Sequence, residues 1–248
     1  MQEIMKLYKE LAEWWPLMSP HTEYEEEAAI YAEIIQRHHP GVKKAVEFGS
    51  GGGSNAFYLK QHFQIVLADL SPNMLAVSQQ LNPECEHLQG DMRTLDAGAD
   101  YDLVFVHDAI TYFKEPDDLL AVFRNAGRHL NPDGLLLIMT DQFTETFSGG
   151  THHGGIDKDG GGMRYLEWTY DSNPDDHMTE THYLYMMRNE NGKVFTESDS
   201  SQSGLFSMPE WKSLLKEAGF IATFEPVHYT TEPGDYYAIV ARLSEGAV

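Results

Sequence analysis

The sequence predicts an α/β fold: a doubly wound sheet of seven strands with a helical N-terminal cap and an antiparallel β insertion after the fifth strand. Three observations carry that expectation. From Lys43 to Thr140, short apolar runs alternate with helix-periodic stretches, the cadence of crossovers that build a parallel sheet. A glycine-rich turn from Gly49 to Gly53 joins the first such run to the first such helix. Beyond Asp141 the alternation stops, and strand-like segments follow one another, two of them separated by the turn Glu190-Asn191-Gly192.

The elements can be justified in order. The first forty residues read as helical: Ala28, Tyr31, Ile34 and Ile35 recur at helical spacing, Glu25, Glu26, Glu27 and Glu33 solvate the other face, and His38-His39-Pro40-Gly41 ends the segment. The parallel strands are KKAVEF, QIVLADL, CEHLQGD, YDLVFVHD and GLLLIMT. Between them, Ser71 and Pro72 supply an N-cap and a first-turn proline, with Met74, Val77 and Leu81 on one face. Asp117 and Asp118 sit at the positive end of a helix whose buried stripe is Leu119, Phe123, Ala126 and Leu130, and Asn131-Pro132-Asp133-Gly134 reads as a turn. Residues 144–162 read as a glycine-rich loop carrying His152 and His153, followed by the strands RYLEWTY, MTETHYLYMMR and KVFTES. Ser207 and Glu210 fit a capping box, Trp211, Leu214, Leu215 and Ala218 give a stripe, Gly219 stops the helix, and FIATFEPV and YYAIVARL close the sheet. The expected units, within one domain, are a cap over 1–41, a core over 42–141, an insertion with a lid loop over 142–206, and closing elements over 207–248.

Composition narrows the function. The chain has 248 residues, 17 basic and 39 acidic, for a net charge of −22, which argues against a nucleic-acid partner because basic side chains drive that binding. At 42% hydrophobic it has the apolar content for a packed core. Cys85 stands alone, so no intrachain disulfide is expected and a reducing, cytoplasmic setting is the simplest reading. No eighteen apolar residues run together, so no membrane span is expected. His177 and His182 lack a supporting ligand pattern, and no metal is expected.

The chemistry concentrates at three strand ends. Gly49, Gly51 and Gly53 let the backbone approach a ligand, and the next helix offers free amide donors. As a dinucleotide fingerprint the turn is poor: counted from Gly49 the sixth position is Ser54, and only a shifted frame from Gly51 to Ala56 matches. Glu47, just before the first glycine, would sit badly beside a pyrophosphate and well beside a cation. Asp69 closes the second strand, where a carboxylate can accept from both ribose hydroxyls. Gly90-Asp91-Met92 ends the third, where a carboxylate can accept from an adenine amino group and a methionine can cover the ring. A nicotinamide dehydrogenase leaves that last element unexplained.

These residues, together with DLSPNML, YDLVFV and HLNPDGLLL, resemble the class I S-adenosylmethionine-dependent methyltransferases. The segments LAEWWPLM and YEEEA are similar to the capping helices of small-molecule enzymes of that family, amino-sugar N-methyltransferases among them. The resemblance implies a Rossmann-like methyltransferase fold with S-adenosylmethionine as cofactor and S-adenosylhomocysteine as product. It implies that Gly49, Ser50 and Gly51 line the methionine portion, with Glu47 in the charged network around it. Asp69 would hold the ribose with Leu70 beside it, Asp91 and Met92 the adenine, Met74 would pack near the adenosine, and His107 would line the sulfonium end. Trp15 and Tyr24 would close the pocket over a small-molecule acceptor, with Tyr112, His152 and Trp168 completing it. A hydroxyl acceptor would want a general base, with His107, Asp108, Tyr112 or a loop histidine as candidates, whereas an amine needs only to lose its proton. The sequence does not choose between them. His107-Asp108-Ala109-Ile110 also departs from the pattern of enzymes that methylate nucleic-acid bases, which carry Asn or Asp followed by Pro-Pro and an aromatic there. The alternative is a cofactor-binding regulatory or assembly protein on the same fold.

Overall fold

A computed structural model describes residues 5–140, 142–231 and 234–244. The N-terminal segment is less regular than its periodicity predicts. Residues 6–24 form three short 3₁₀ turns and the single-turn helix α1 (Trp15–Met18), and only α2 (Glu25–His38) is a full helix. Pro16 fits the first turn of α1, where a missing amide is tolerated, whereas Pro20 lies just past α1 and cannot continue it. On α2, Ala28, Tyr31, Ile34 and Ile35 are the buried positions, as the spacing predicts.

The alternating half folds as β1 (Lys44–Phe48), α3 (Ser54–Leu59), β2 (Gln64–Asp69), α4 (Pro72–Leu81), β3 (Glu86–Gln89), β4 (Tyr101–His107), α5 (Pro116–His129) and β5 (Leu130–Thr140). The Asn131 to Gly134 segment is absorbed into β5 as an irregularity: Tyr101 pairs with Leu130, and the register then jumps to Leu103 with Leu135. Extra residues on one strand relieve the turn that the sequence suggests. Ser71 caps α4 by accepting from Met74 N–H at 3.2 Å.

Asp141 lies outside the described residues. After it come β6 (Gly150–Gly154), β7 (Asp157–Lys158), β8 (Gly161–Tyr170), β9 (Met178–Arg188) and β10 (Val194–Gly204), which form a second, antiparallel sheet in the order β10-β9-β8-β6, with β7 on β8. Part of the expected glycine-rich loop is therefore strand, and His152 and His153 are held in a ladder against Glu167 and Leu166. The chain returns through α6 (Met208–Glu217), where both bonds of the Ser207/Glu210 capping box are present, to β11 (Phe220–Val227) and β12 (Tyr236–Leu243).

The main sheet has seven strands in the order β11-β12-β5-β4-β1-β2-β3, with β12 antiparallel to its neighbours β5 and β11. Its central strands are buried on both faces. Along β4, Val104 and Val106 join one core with Phe48, Phe123 and Trp211, while Leu103 and Phe105 join another with Tyr31, Leu59 and Leu67. A third cluster ties the N-terminal segment to the second sheet: Leu7 and Leu11 pack on Met163, Tyr185 and Met187. The opposite face of that sheet is open and apolar, with Leu166, Leu184 and Met186 exposed.

Candidate functional site

Strand order reverses beside β1, which pairs with β2 on one side and β4 on the other, and doubly wound sheets leave a crevice at the carboxyl ends of such strands. The turn after β1 is shaped for that crevice. Gly49, Gly51 and Gly53 have φ of 72°, 52° and 75°, where a side chain would cost about 1–2 kcal/mol each. Gly49 and Ser50 N–H donate to the Ala68 carbonyl at 2.7 and 3.0 Å, and Gly51 N–H donates to Asp69 Oδ2 at 2.8 Å, so the turn is strapped to the end of β2.

Side chains close around it. A Cβ on Gly49 would stand 2.3 Å from Ala109 Cβ and 2.8 Å from Met92 Cε, and one on Gly51 would stand 3.6 Å from Met74 Cε. Two thioethers therefore flank the turn. A Cβ on Gly52 would lie 2.7 Å from the Trp15 indole, so the N-terminal segment rests directly on the turn. The same segment is fastened to the start of α4, where Ser71 Oγ donates to the Tyr8 carbonyl and Asn73 Nδ2 donates to the Lys9 carbonyl at 2.7 Å.

The carboxylates differ in state. Glu47 is 2% exposed, and burial pushes its carboxyl up to about 8; the charge of His107 works against that rise, and Asp69 adds to it. Its Oε2 has no hydrogen-bond partner among the described residues, nor have the buried Ser50 Oγ and Trp15 Nε1. Buried polar atoms normally find partners, so three such atoms around one glycine turn mark the place of a ligand with cationic and hydrogen-bonding groups. Asp69 is also raised, chiefly by burial, against the opposing bonds from the Ser71 and Gly51 amides. Asp69 Oδ1 accepts from Ser71 N–H at 2.7 Å, and each oxygen keeps capacity to accept from a ligand hydroxyl.

Asp91 is already paired within the chain. Arg93 holds it in a fork, with Nε 3.0 Å from Oδ1 and Nη2 2.5 Å from Oδ2, and also reaches Asp118 at 2.7 Å. That side-chain pairing is the main reason the Asp91 carboxyl lies below its usual range. The sequence reading missed Arg93, although its position two residues past Asp91 was visible. Leu70, next to Asp69, is 48% exposed at the rim.

On the β4 side, His107 is enclosed by a polar group of residues. Its Nε2 is 3.2 Å from Tyr31 Oη and 3.5 Å from Glu27 Oε2, and its Nδ1 is 3.4 Å from Asp108 Oδ2. Tyr31 Oη also meets Tyr229 Oη at 2.9 Å, and the Tyr24 ring packs edge-on 6.4 Å from His107. Asp108 has a φ of 40°, an uncommon left-handed conformation at the turn into the next segment. Tyr112 Oη pairs with Tyr8 Oη at 2.7 Å, and burial drives its phenol far above the ordinary range, so it forms hydrogen bonds as a neutral group. Trp168 does not join this assembly. Alternation along β8 turns Glu167 and Thr169 inward and leaves Trp168 54% exposed on the outer face with Leu166. The sequence expectation that Trp168 lines the pocket is corrected by that parity, and Glu167 takes the inward position.

A buried carboxyl with an unpartnered oxygen at the end of β1, an acidic residue closing β2 and another just beyond β3 make this crevice unlike a pyrophosphate site. It is the arrangement that the sequence resemblance to the class I S-adenosylmethionine-dependent methyltransferases implies. Residues 45–134 match the family model described as a methyltransferase domain. The dTDP-3-amino-3,6-dideoxy-alpha-D-glucopyranose N,N-dimethyltransferase of Streptomyces fradiae is 24% identical over 88% of this chain and 86% of its own. The dTDP-4-amino-2,3,4,6-tetradeoxy-D-glucose N,N-dimethyltransferase of Saccharopolyspora spinosa is 25% identical over 81% of this chain and 80% of its own. Among solved structures, Streptomyces venezuelae DesVI superposes with a TM-score of 0.79 at 21% identity, covering 90% of this chain and 92% of that one. The SAM-bound amino pentose methyltransferase CalS10 of Micromonospora echinaspora gives 0.76 at 21% identity, covering 89% and 92%. Over residues 45–134 the chain is thus similar to the methyltransferase domain family, and its fold is that of these solved methyltransferases. Among the described residues, no helix is long and apolar enough to cross a membrane.

Proposed function

We propose that the chain methylates an amine nitrogen of a small metabolite. The observation that carries this is the state of the candidate bases. Both nitrogens of His107 face partners within the wall, and the Tyr112 phenol is neutral, so neither side chain is poised to strip a hydroxyl. An amine needs no such base beyond loss of its own proton. The named activities of the sugar dimethyltransferases among its relatives support the same acceptor atom.

In this reading Glu47 holds the ammonium of the cofactor's methionine end, and Gly49, Ser50 and Gly51 line that portion. Asp69 takes the ribose hydroxyls, Leu70 flanks them at the rim, and Met74 and Met92 cover the adenosine. Asp91, steadied by Arg93, accepts from the adenine amino group with its remaining lone pairs. When bound, S-adenosylmethionine supplies a methyl group on a sulfonium, already a good leaving group. The chain's own work is positioning: Trp15 and Tyr24 close the pocket and keep water out, while His107 and Asp108 wall the space where the nitrogen approaches. Orientation of this kind can supply on the order of 7–11 kcal/mol.

Incubation with S-adenosylmethionine and paired amino and hydroxy sugars tests this by mass spectrometry. Methylation of the amino members alone is expected, and methylation confined to hydroxyls would overturn it.

A further inference from the structure

The covered face of the second sheet carries a polar row that no local motif announces. Register sets His152 opposite Glu167, Glu167 opposite Tyr183, and Tyr183 opposite Asp199, one residue from each of β6, β8, β9 and β10. Strand parity puts all four on the same face, where Glu167, Tyr183 and Asp199 are half-buried and His152, on the edge strand, is exposed. The row lies one pleat beyond Tyr165 and Tyr185, which pack beneath the N-terminal segment. At its far end Tyr183 and Asp199 reach an open cavity of about 580 Å³ at the sheet margin, shared with Lys6, Lys9, His182 and Ser200 and not with Glu167 or His152.

We infer that this row is the acceptor-recognition surface, and that the molecule it takes is an unphosphorylated, polyhydroxylated amine. The inference rests on the amine-acceptor reading and narrows it. Glu167 is held only loosely, with one oxygen receiving a 3.4 Å bond from Thr169 Oγ1, and burial raises its carboxyl, as for a group kept from water until a cation arrives. Tyr8 and Trp15 pack in one cluster with Tyr183 and Tyr185, while Tyr8 Oη meets Tyr112 Oη at 2.7 Å and the Trp15 indole rests at Gly52, so the N-terminal segment lies between row and crevice. A separate observation points to a ligand: Tyr185 is wholly buried, its hydroxyl has no partner among the described residues, and it senses Asp199, Tyr8 and Glu167. Asp199 already accepts from Leu7 N–H at 3.4 Å and Ser200 N–H at 3.0 Å and keeps further lone pairs, and with Glu167, a phenol and an imidazole in one line it suits an ammonium flanked by hydroxyls.

The same surface is ill suited to a diphosphate. Every arginine is engaged elsewhere: Arg93 with Asp91 and Asp118, Arg164 and Arg188 with Asp157, Arg37 with Glu225, Arg124 with Glu217, Arg128 with Asn125 and Arg242 with the Asp133 carbonyl. Lys6 is paired with Glu197 at 3.1 Å, and Lys9 shares the cavity with Glu10 and Asp199. A bidentate arginine clamp, the usual device for planar recognition of phosphate, is therefore missing from this face.

The test uses the full chain with S-adenosylmethionine and one amino sugar, 3-amino-3-deoxyglucose, supplied free and as its dTDP conjugate. The free sugar should be the better acceptor, and Glu167→Gln should raise its KM about tenfold or more, the size of a lost charge-assisted bond. The same variant should leave kcat nearly unchanged and the cofactor affinity unaltered, and Asp199→Asn should shift KM in the same direction. A tenfold preference for the dTDP conjugate, or an unchanged KM in both variants, would overturn the assignment. Failure of the wild-type chain to bind S-adenosylmethionine would instead remove the methyltransferase reading beneath it.

Discussion

Asp69→Ala will weaken S-adenosylmethionine binding by about a hundredfold or more, as isothermal titration will show. Two losses combine. The ribose loses a carboxylate acceptor, and hydrogen bonds to charged groups are worth about 1.5–3 kcal/mol each. The glycine turn also loses its strap, because Asp69 Oδ2 and Oδ1 hold the Gly51 and Ser71 amides at 2.8 and 2.7 Å. Asp69→Asn separates the two effects: its amide oxygen can keep one backbone bond, so it should retain more of the turn geometry while still losing most of the affinity. Unchanged affinity in the alanine variant would remove Asp69 from the ribose site.

Glu47 sets the second large effect, and it depends on pH. Burial pushes its carboxyl up to about 8 from an ordinary 4.5, so the folded protein binds this proton more tightly than the unfolded chain does. The stability that protonation contributes is complete below pH 4.5 and is lost as pH rises through about 8, with a slope of at most about 1.4 kcal/mol per pH unit for one group. Without cofactor, Glu47→Gln should therefore match the wild type in thermal unfolding at pH 5 and exceed it at pH 9. Cofactor affinity should run the other way. Wild-type affinity climbs toward pH 8 as Glu47 ionises to meet the ammonium, then falls as the ligand's own amine, with a pKa of about 8, loses its proton. Glu47→Gln should lose about tenfold or more of the affinity at pH 8, again by titration calorimetry. A variant with the wild-type pH profile would show that the buried carboxylate does not face the ammonium.

The contrast between legible and illegible parts of the site has a physical origin. Glu47, Gly49, Asp69 and Met92 could be found because each sits at a fixed offset from a strand end, and parallel crossovers bring consecutive strand ends to one edge. Of the row His152, Glu167, Tyr183 and Asp199 only His152 is a sequence candidate, because the members meet only through antiparallel register, and that register is fixed by pairing across the whole sheet. Trp168 was misjudged for the same reason: a shift of one residue along a strand exchanges inside for outside. The N-terminal segment failed differently. The helical period of Ala28, Tyr31, Ile34 and Ile35 is extended back over the first forty residues in the sequence reading, but the chain before α2 runs in short turns, interrupted at Pro20, that pack on the second sheet and on Gly52.

The second sheet leaves the main fold after β5 and returns at α6, so the residues between those points form an excursion from an otherwise continuous scaffold. The cofactor groups from Glu47 to Met92 lie wholly outside it. In the proposed reading, donor handling and the acceptor-recognition row are thereby written in separate stretches of chain, with the N-terminal segment leaning on both. Such a division lets selection, or an engineer, redraw what is methylated by editing one inserted sheet, with the methyl-donor half inherited intact.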